Sequence, residues 1–191
     1  MRKHRHFILN KAYGYLSLFV YNQKGRKKKL LGELYSFPEG TMAIGRLDEK
    51  SEGLLLLTTD GHMSEHIRSN KFEKEYYVQL DGVITDEALN KLKSGVEIGV
   101  EGQKYTTKPC EAFRLMKTPN FPERSRRVRD DRHGPTSWAS IIVREGKFKQ
   151  VRKMTAAVGF PTLRLVRVRI GTILLGDLKP REVKELESFN V

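Results

Sequence analysis

Gly45-Arg46-Leu47-Asp48-Glu49-Lys50-Ser51-Glu52-Gly53-Leu54-Leu55-Leu56-Leu57-Thr58-Thr59-Asp60-Gly61 sets a charged loop directly before an unbroken apolar run. Leu54 to Leu57, bounded by Gly53 and the turn pair Asp60-Gly61, reads as a short strand buried on both faces. Asp48 stands in the loop that feeds this strand. Local rules make such an aspartate a turn former whose side chain accepts from nearby backbone N–H groups. A second reading is a carboxylate held in place for chemistry, with Arg46 two residues away.

Outward from this stretch the pattern is strand-rich. Phe7-Ile8-Leu9 and Leu16 to Val20 read as strands, and Asn22 to Lys29 as an exposed basic loop in which Lys27 is placed to hold a polyanion backbone. Residues 62–69 read as a short helix and Tyr76 to Leu80 as a strand rich in β-formers. Thr85-Asp86-Glu87 supplies an N-cap and an acidic first turn for a helix through Leu92 that Gly95 stops. Residues 96–117 read as further strands. The last third reads as a strand over Trp138–Val143, a turn at Glu145-Gly146-Lys147, a helix from about 148 to 158 ended by Gly159, and strands across Leu163–Ile170 and Ile173–Leu175. Strand-rich lobes with single interspersed helices predict an α+β fold with a mixed, mainly antiparallel sheet.

Residues 117–137 break the pattern with prolines at 119, 122 and 135 and arginines at 124, 126, 127, 129 and 132. Long segments without periodicity inside a domain are functional or disordered. The arginine density favours RNA contact, since a planar guanidinium both forks onto phosphate and stacks on bases.

The 191 residues carry a net charge of +13, unevenly spread: residues 1–36 hold nine Lys/Arg against one acid, and residues 114–170 fifteen against four. Two basic regions around a mildly acidic middle suit a surface that tracks a polyanion, because each Lys or Arg meeting a phosphate releases counterions. Cys110 is the only cysteine, so no internal disulfide forms, and it reads as a buried inert thiol. The basic N-terminus leads into only a short apolar stretch, which excludes a signal peptide or membrane span there and makes a cytoplasmic monomer the expected state.

Three further segments align with the opening stretch in order and spacing: Asn10-Lys11 with Gly14, Lys74-Glu75-Tyr76-Tyr77-Val78, and Glu145-Gly146-Lys147 leading to Gln150-Val151-Arg152-Lys153-Met154. Together with Gly-Arg-Leu-Asp at 45–48 and the Gly-Leu-Leu run, they resemble the small- and large-subunit rRNA pseudouridine synthases over nearly the whole chain. Pro135 to Trp138 and Thr155 to Leu165 look like the large-subunit branch. Two departures are Ala12, where the family usually has proline, and the lack of room for the N-terminal RNA-binding module of the ribosomal-protein (S4) type that many relatives carry.

The resemblance implies a single catalytic domain over residues 1–191, with the pseudouridine synthase fold in two lobes and a central active cleft. It implies an enzyme that isomerises a uridine of large-subunit (23S) rRNA, needing no cofactor and no metal. It assigns Asp48 as nucleophile, Arg152 as the cation that keeps the carboxylate ionised, and Tyr76 as the ring against the flipped base. Leu165 becomes an apolar contact to that base, and Arg46 the residue that assists flipping. By alternation Tyr76 and Tyr77 face opposite sides of their strand, so one of them is structural. Lys11, Lys27, Lys153 and the loop arginines Arg124, Arg126, Arg127 and Arg129 are the expected RNA contacts. Two rivals remain at this stage: a non-catalytic RNA binder, and a zinc site at His62-Met63-Ser64-Glu65-His66, whose class needs a third protein ligand.

Overall fold

The computed structural model describes residues 3–23, 27–69, 72–129 and 131–191, without the side chain of Asp131. Lys24 to Arg26, the centre of the expected basic loop, lie outside the described residues. The chain divides into two compact units, Met1–Phe72 with Pro122–Arg126 and Arg167–Val191, and Glu73–Phe121 with Arg127–Val166.

In the first unit β1 (His6–Lys11) pairs antiparallel with β3 (Glu52–Thr58) on one side and with β11 (Val183–Leu186) on the other. The short β2 (Met42–Ile44) adds to β3. All seven residues of β3 are buried, as its apolar run predicts. Leu55 and Leu57 pack with Phe7, Leu9 and Leu31, and Phe19 and Phe37 close this cluster edge to face. Helix α1 (Gly61–Arg68) starts where Asp60 accepts from the N–H groups of His62 and Met63 at 2.9 and 3.2 Å.

The second unit is built on β4 (Lys74–Asp81), β8 (Thr136–Val143) and β7 (Glu111–Arg114), paired antiparallel in that order, with a separate hairpin of β5 (Glu97–Val100) and β6 (Gln103–Thr106). Helices α2 (Asp86–Ser94) and α3 (Gln150–Ala157) complete it. Thr85 Oγ1 accepts from Ala88 N–H at 3.2 Å, and Gly95 ends α2 at φ 99°, as the cap pattern predicts. The core joins Val78, Leu80, Leu89, Leu92, Ile141 and Met154. Strand β9 (Thr162–Ile170) begins in this unit and ends in the first, where β10 (Ile173–Leu174) folds back on it. The α+β class and the mainly antiparallel pairing match the sequence reading.

Three local expectations are corrected. Leu16–Val20 is not a strand. Its N–H and C=O groups bond irregularly to Lys29 and Leu31, leaving only an isolated bridge at Tyr15, and Val20 is exposed. Cys110 is half-buried, its thiol donating to Leu92 O at 3.2 Å. Among the described residues, positions 117–135 form no α-helix or strand, only a short 3-10 turn at Asp131–His133, and β8 takes up Thr136 and Ser137, but the segment is anchored. In the second unit the Phe121 ring lies 6.2 Å from Tyr77 and 5.8 Å from Trp138, and Arg129 pairs with Asp81. In the first unit the Arg124 guanidinium sits 4.6 Å from the Tyr13 ring and 4.0 Å from Glu52.

Candidate active site

The loop that carries Asp48 is fixed from several sides within the first unit. Ser17, buried, grips Leu47 at both backbone groups: its Oγ accepts from Leu47 N–H at 3.0 Å and donates to Leu47 O at 2.9 Å. Gly14 N–H donates to Glu49 O at 2.8 Å, and the Lys28 ammonium pairs with Glu49 at 2.8 Å. Between these holds the Asp48 carboxylate accepts from Lys50 N–H at 2.8 Å and from Ser51 Oγ at 2.6 Å, while Ser51 N–H returns to Asp48 O at 3.0 Å. The residue thus closes a turn, as local rules predict, and the same bonds fix the position of its carboxylate. Ser51 is fully buried, and its place three residues after the aspartate is the signal that could have revealed it.

Arg46 is exposed, and among the described residues it has no ion-pair partner, since Glu49 and Glu52 face Lys28 and Arg124. A surface pair between Arg46 and either glutamate is thereby ruled out as its role. Lys27 is exposed.

Lys11 departs from expectation. It ends β1 fully buried, its ammonium donating to Tyr15 O at 2.7 Å and Ala12 O at 3.2 Å, and cannot meet a phosphate. Burial pushes its pKa from 10.5 down to about 8, opposed by the negative charges of Asp48, Glu52 and Glu49. Between pH 8 and 10.5 the unfolded chain therefore holds a proton at Lys11 that the folded protein has released, so this residue adds stability as pH rises through that window. The gain amounts to about 3 kcal/mol. Cys110 acts the other way, since burial raises its thiol to about 11 and the folded chain keeps a proton the unfolded one loses. Lys11→Met isolates the lysine: its unfolding free energy in urea, relative to wild type, should fall as pH goes from 8 to 10.5, and a flat difference would show the ammonium to be solvated.

The second unit carries the other assigned residues. Tyr76, Val78 and Leu80 share the face of β4 that meets the core, Tyr76 half-buried at its margin, whereas Tyr77 points to the opposite face against Phe121. Arg152 and Lys153 lie half-buried on α3. Glu145, buried just before this helix, accepts from Tyr105 OH and Lys108 N–H, each at 2.8 Å, and so fixes the turn leading to Arg152. Leu165 is 4% exposed and belongs to the core, which leaves it little surface to offer a base.

Among the loop arginines, Arg126 and Arg127 are exposed, while Arg124 and Arg129 are turned onto the protein as described above. Of the four arginines expected to contact RNA, Arg124 and Arg129 are thus engaged within the protein, and only Arg126 and Arg127 are left exposed. Among the described residues no group of three potential ligands gathers at His62 and His66 or elsewhere to hold a metal ion, and no helix is long and apolar enough to cross a membrane.

Known proteins resemble this chain over most of its length. The family model of RNA pseudouridylate synthase matches residues 5–157. A ribosomal large subunit pseudouridine synthase E of Vibrio parahaemolyticus is 41% identical over 182 residues, 94% of this chain and 73% of the relative. One of Xanthomonas axonopodis pv. citri is 41% identical over 175 residues, covering 91% and 89%. A crystal structure of a pseudouridylate synthase superposes with a TM-score of 0.75 at 27% identity, over 97% of this chain and 71% of that one.

Proposed function

The chain belongs to the RNA pseudouridylate synthase family, and we propose that within it the protein isomerises a uridine of large-subunit (23S) rRNA with Asp48 as nucleophile. The reaction breaks the bond from C1′ of the ribose to N1 of uracil, turns the base and rejoins C1′ to C5. The C5 proton leaves and N1 gains one, so no group and no electron enters and no cofactor is required. The observation that carries the reading is the aimed carboxylate of Asp48, held by Lys50 N–H and Ser51 Oγ beside an exposed Arg46. A target base must leave its stack before it can react, and Arg46 is suited to fill the gap it leaves. Tyr76 offers a ring for the uracil and a phenol for proton transfer, and Arg152 a cation for the ionised form of the reactants. The names of the relatives support the large subunit as target. Pseudouridine mapping of 23S rRNA incubated with the purified protein is expected to show one new site. No new pseudouridine in any rRNA would overturn the reading, and a site in 16S rRNA would move the target to the small subunit.

The long loop separates two classes of arginine. Arg126→Ala with Arg127→Ala is expected to lower the salt slope of RNA binding by roughly one per lost phosphate contact and to leave the melting temperature alone. Arg124→Ala or Arg129→Ala should lower the melting temperature and spare the slope. The reverse pattern would return Arg124 and Arg129 to the RNA surface.

A further inference from the structure

The turn that opens α3 presents an aromatic ring to solvent among lysines, and the isomerisation chemistry has no use for it. Glu145 and Gln150 are buried, whereas the four residues between them are exposed. Gln150 N–H donates to Lys147 O at 3.1 Å and Lys147 N–H donates back to Gln150 Oε1 at 3.0 Å, closing a turn with Phe148 and Lys149 at its tip. Lys149 takes the left-handed region at φ 51°, a conformation side chains rarely adopt, and this displays the residue before it. Phe148 is 65% exposed. The ammonium groups of Lys149 and Lys153 lie 4.9 and 5.4 Å from the centre of its ring, and that of Lys147 lies 4.7 Å from the ring of Tyr105.

A single exposed apolar side chain is ordinary. What distinguishes this one is a hydrogen-bonded turn that holds it out and three cations within reach of anything that covers it. We propose that Phe148 is a stacking platform for one unpaired nucleobase of the RNA substrate, with Lys147, Lys149 and Lys153 neutralising the phosphates on either side. The proposal rests on the reading of the chain as an RNA-modifying enzyme and adds Phe148, Lys147 and Lys149 to Lys153, which that reading already expects to meet RNA. A base–aromatic stack is stronger than an exposed cation–π contact, so an incoming base displaces the Lys149 ammonium, whose long stem carries it to a phosphate, while Lys153, donating to Gly99 O at 2.5 Å, stays as a fixed positive charge beside the stack. The occupant is thereby single-stranded. Paired bases show a side chain only their edges, whereas the faces of an unpaired base are open to the ring.

The test is equilibrium binding of a single-stranded RNA of roughly ten nucleotides, and of the same backbone with its bases removed, to wild type, Phe148→Ala, Phe148→Leu and Phe148→Trp. Ala and Leu are expected to weaken binding of the intact RNA about tenfold, Trp to preserve it, and all four proteins to bind the abasic strand alike. Lys149→Ala should lower the salt slope by about one, and the Phe148 variants should leave it unchanged. Ala within twofold of wild type, Leu as good as Phe, or an equal loss on the abasic strand would each overturn the platform. Isomerisation by the wild type is scored separately on 23S rRNA. Normal isomerisation without a Phe148 effect sinks this proposal alone, and a Phe148 effect without isomerisation sinks the functional reading alone.

Discussion

Asp48→Asn is expected to fold and bind RNA as the wild type does and to lose isomerisation by a factor of about a thousand or more. The amide can keep the local geometry. Its oxygen can still accept from Lys50 N–H, and its NH2 group takes the place of the oxygen that now accepts from Ser51 Oγ, a hydroxyl that is able to accept in turn. The same turn therefore survives with a group that has no charge and no lone pair suited to attack. Asp48→Ala differs, because Lys50 N–H and the buried Ser51 hydroxyl then lose their acceptor, at a cost of about 1 kcal/mol in stability. Single-turnover pseudouridine formation and RNA affinity, measured on both variants, separate the two roles. Residual turnover in Asp48→Asn above about a thousandth of wild type would reduce Asp48 to the turn former that local rules describe.

What the sequence makes legible here is what is written locally. The run Leu54–Leu57 names its strand because a continuous apolar stretch needs cover on both faces, and Thr85 and Gly95 mark the ends of α2 because caps act within one turn. Leu16–Val20 has the composition of a strand but not its pairing, since its partners at Lys29 and Leu31 come from an irregular segment. Three-residue β2 and the half-polar β11 are too short for their periodicity to register. The residues assigned to chemistry show the same division. Asp48, Tyr76 and Arg152 are read from motifs, but the bonds that aim the carboxylate loop join residues distant in sequence, as Ser17 to Leu47 and Gly14 to Glu49 do. Lys11 is the plainest case. A lysine at the end of a strand gives no local sign that Tyr15 O will take its ammonium inside the protein.

Gly53→Ala is the substitution from which the largest loss of stability is expected, and the reason lies in one such distant contact. Gly53 adopts φ 101°, and an added Cβ would stand 2.3 Å from the carbonyl oxygen and 2.7 Å from the nitrogen of Arg167. Both are backbone atoms, so no rotamer change relieves the clash. Retreat of β9 is opposed as well, because the buried Arg167 side chain donates through Nε to Leu54 O at 2.7 Å and ties the two strands beside the contact. Backbone strain of about 1–3 kcal/mol adds to about 1–3 kcal/mol for overpacking, far beyond the fraction of a kcal/mol that alanine returns by stiffening the unfolded chain. At about 2–4 °C per kcal/mol for a chain of this size, the melting temperature should fall by about 10 °C. Gly45, at the start of the loop that leads to β3, supplies the control. It too has a positive φ, 70°, but nothing lies within 4 Å of its added Cβ, so Gly45→Ala bears only the left-handed strain of about 1–2 kcal/mol. Thermal unfolding of the two variants side by side decides between the causes. Equal shifts would mean that backbone conformation alone requires glycine at both positions, whereas a much larger shift for Gly53→Ala would locate the requirement in the approach of the Arg167 backbone to Gly53, which stands five residues beyond Asp48.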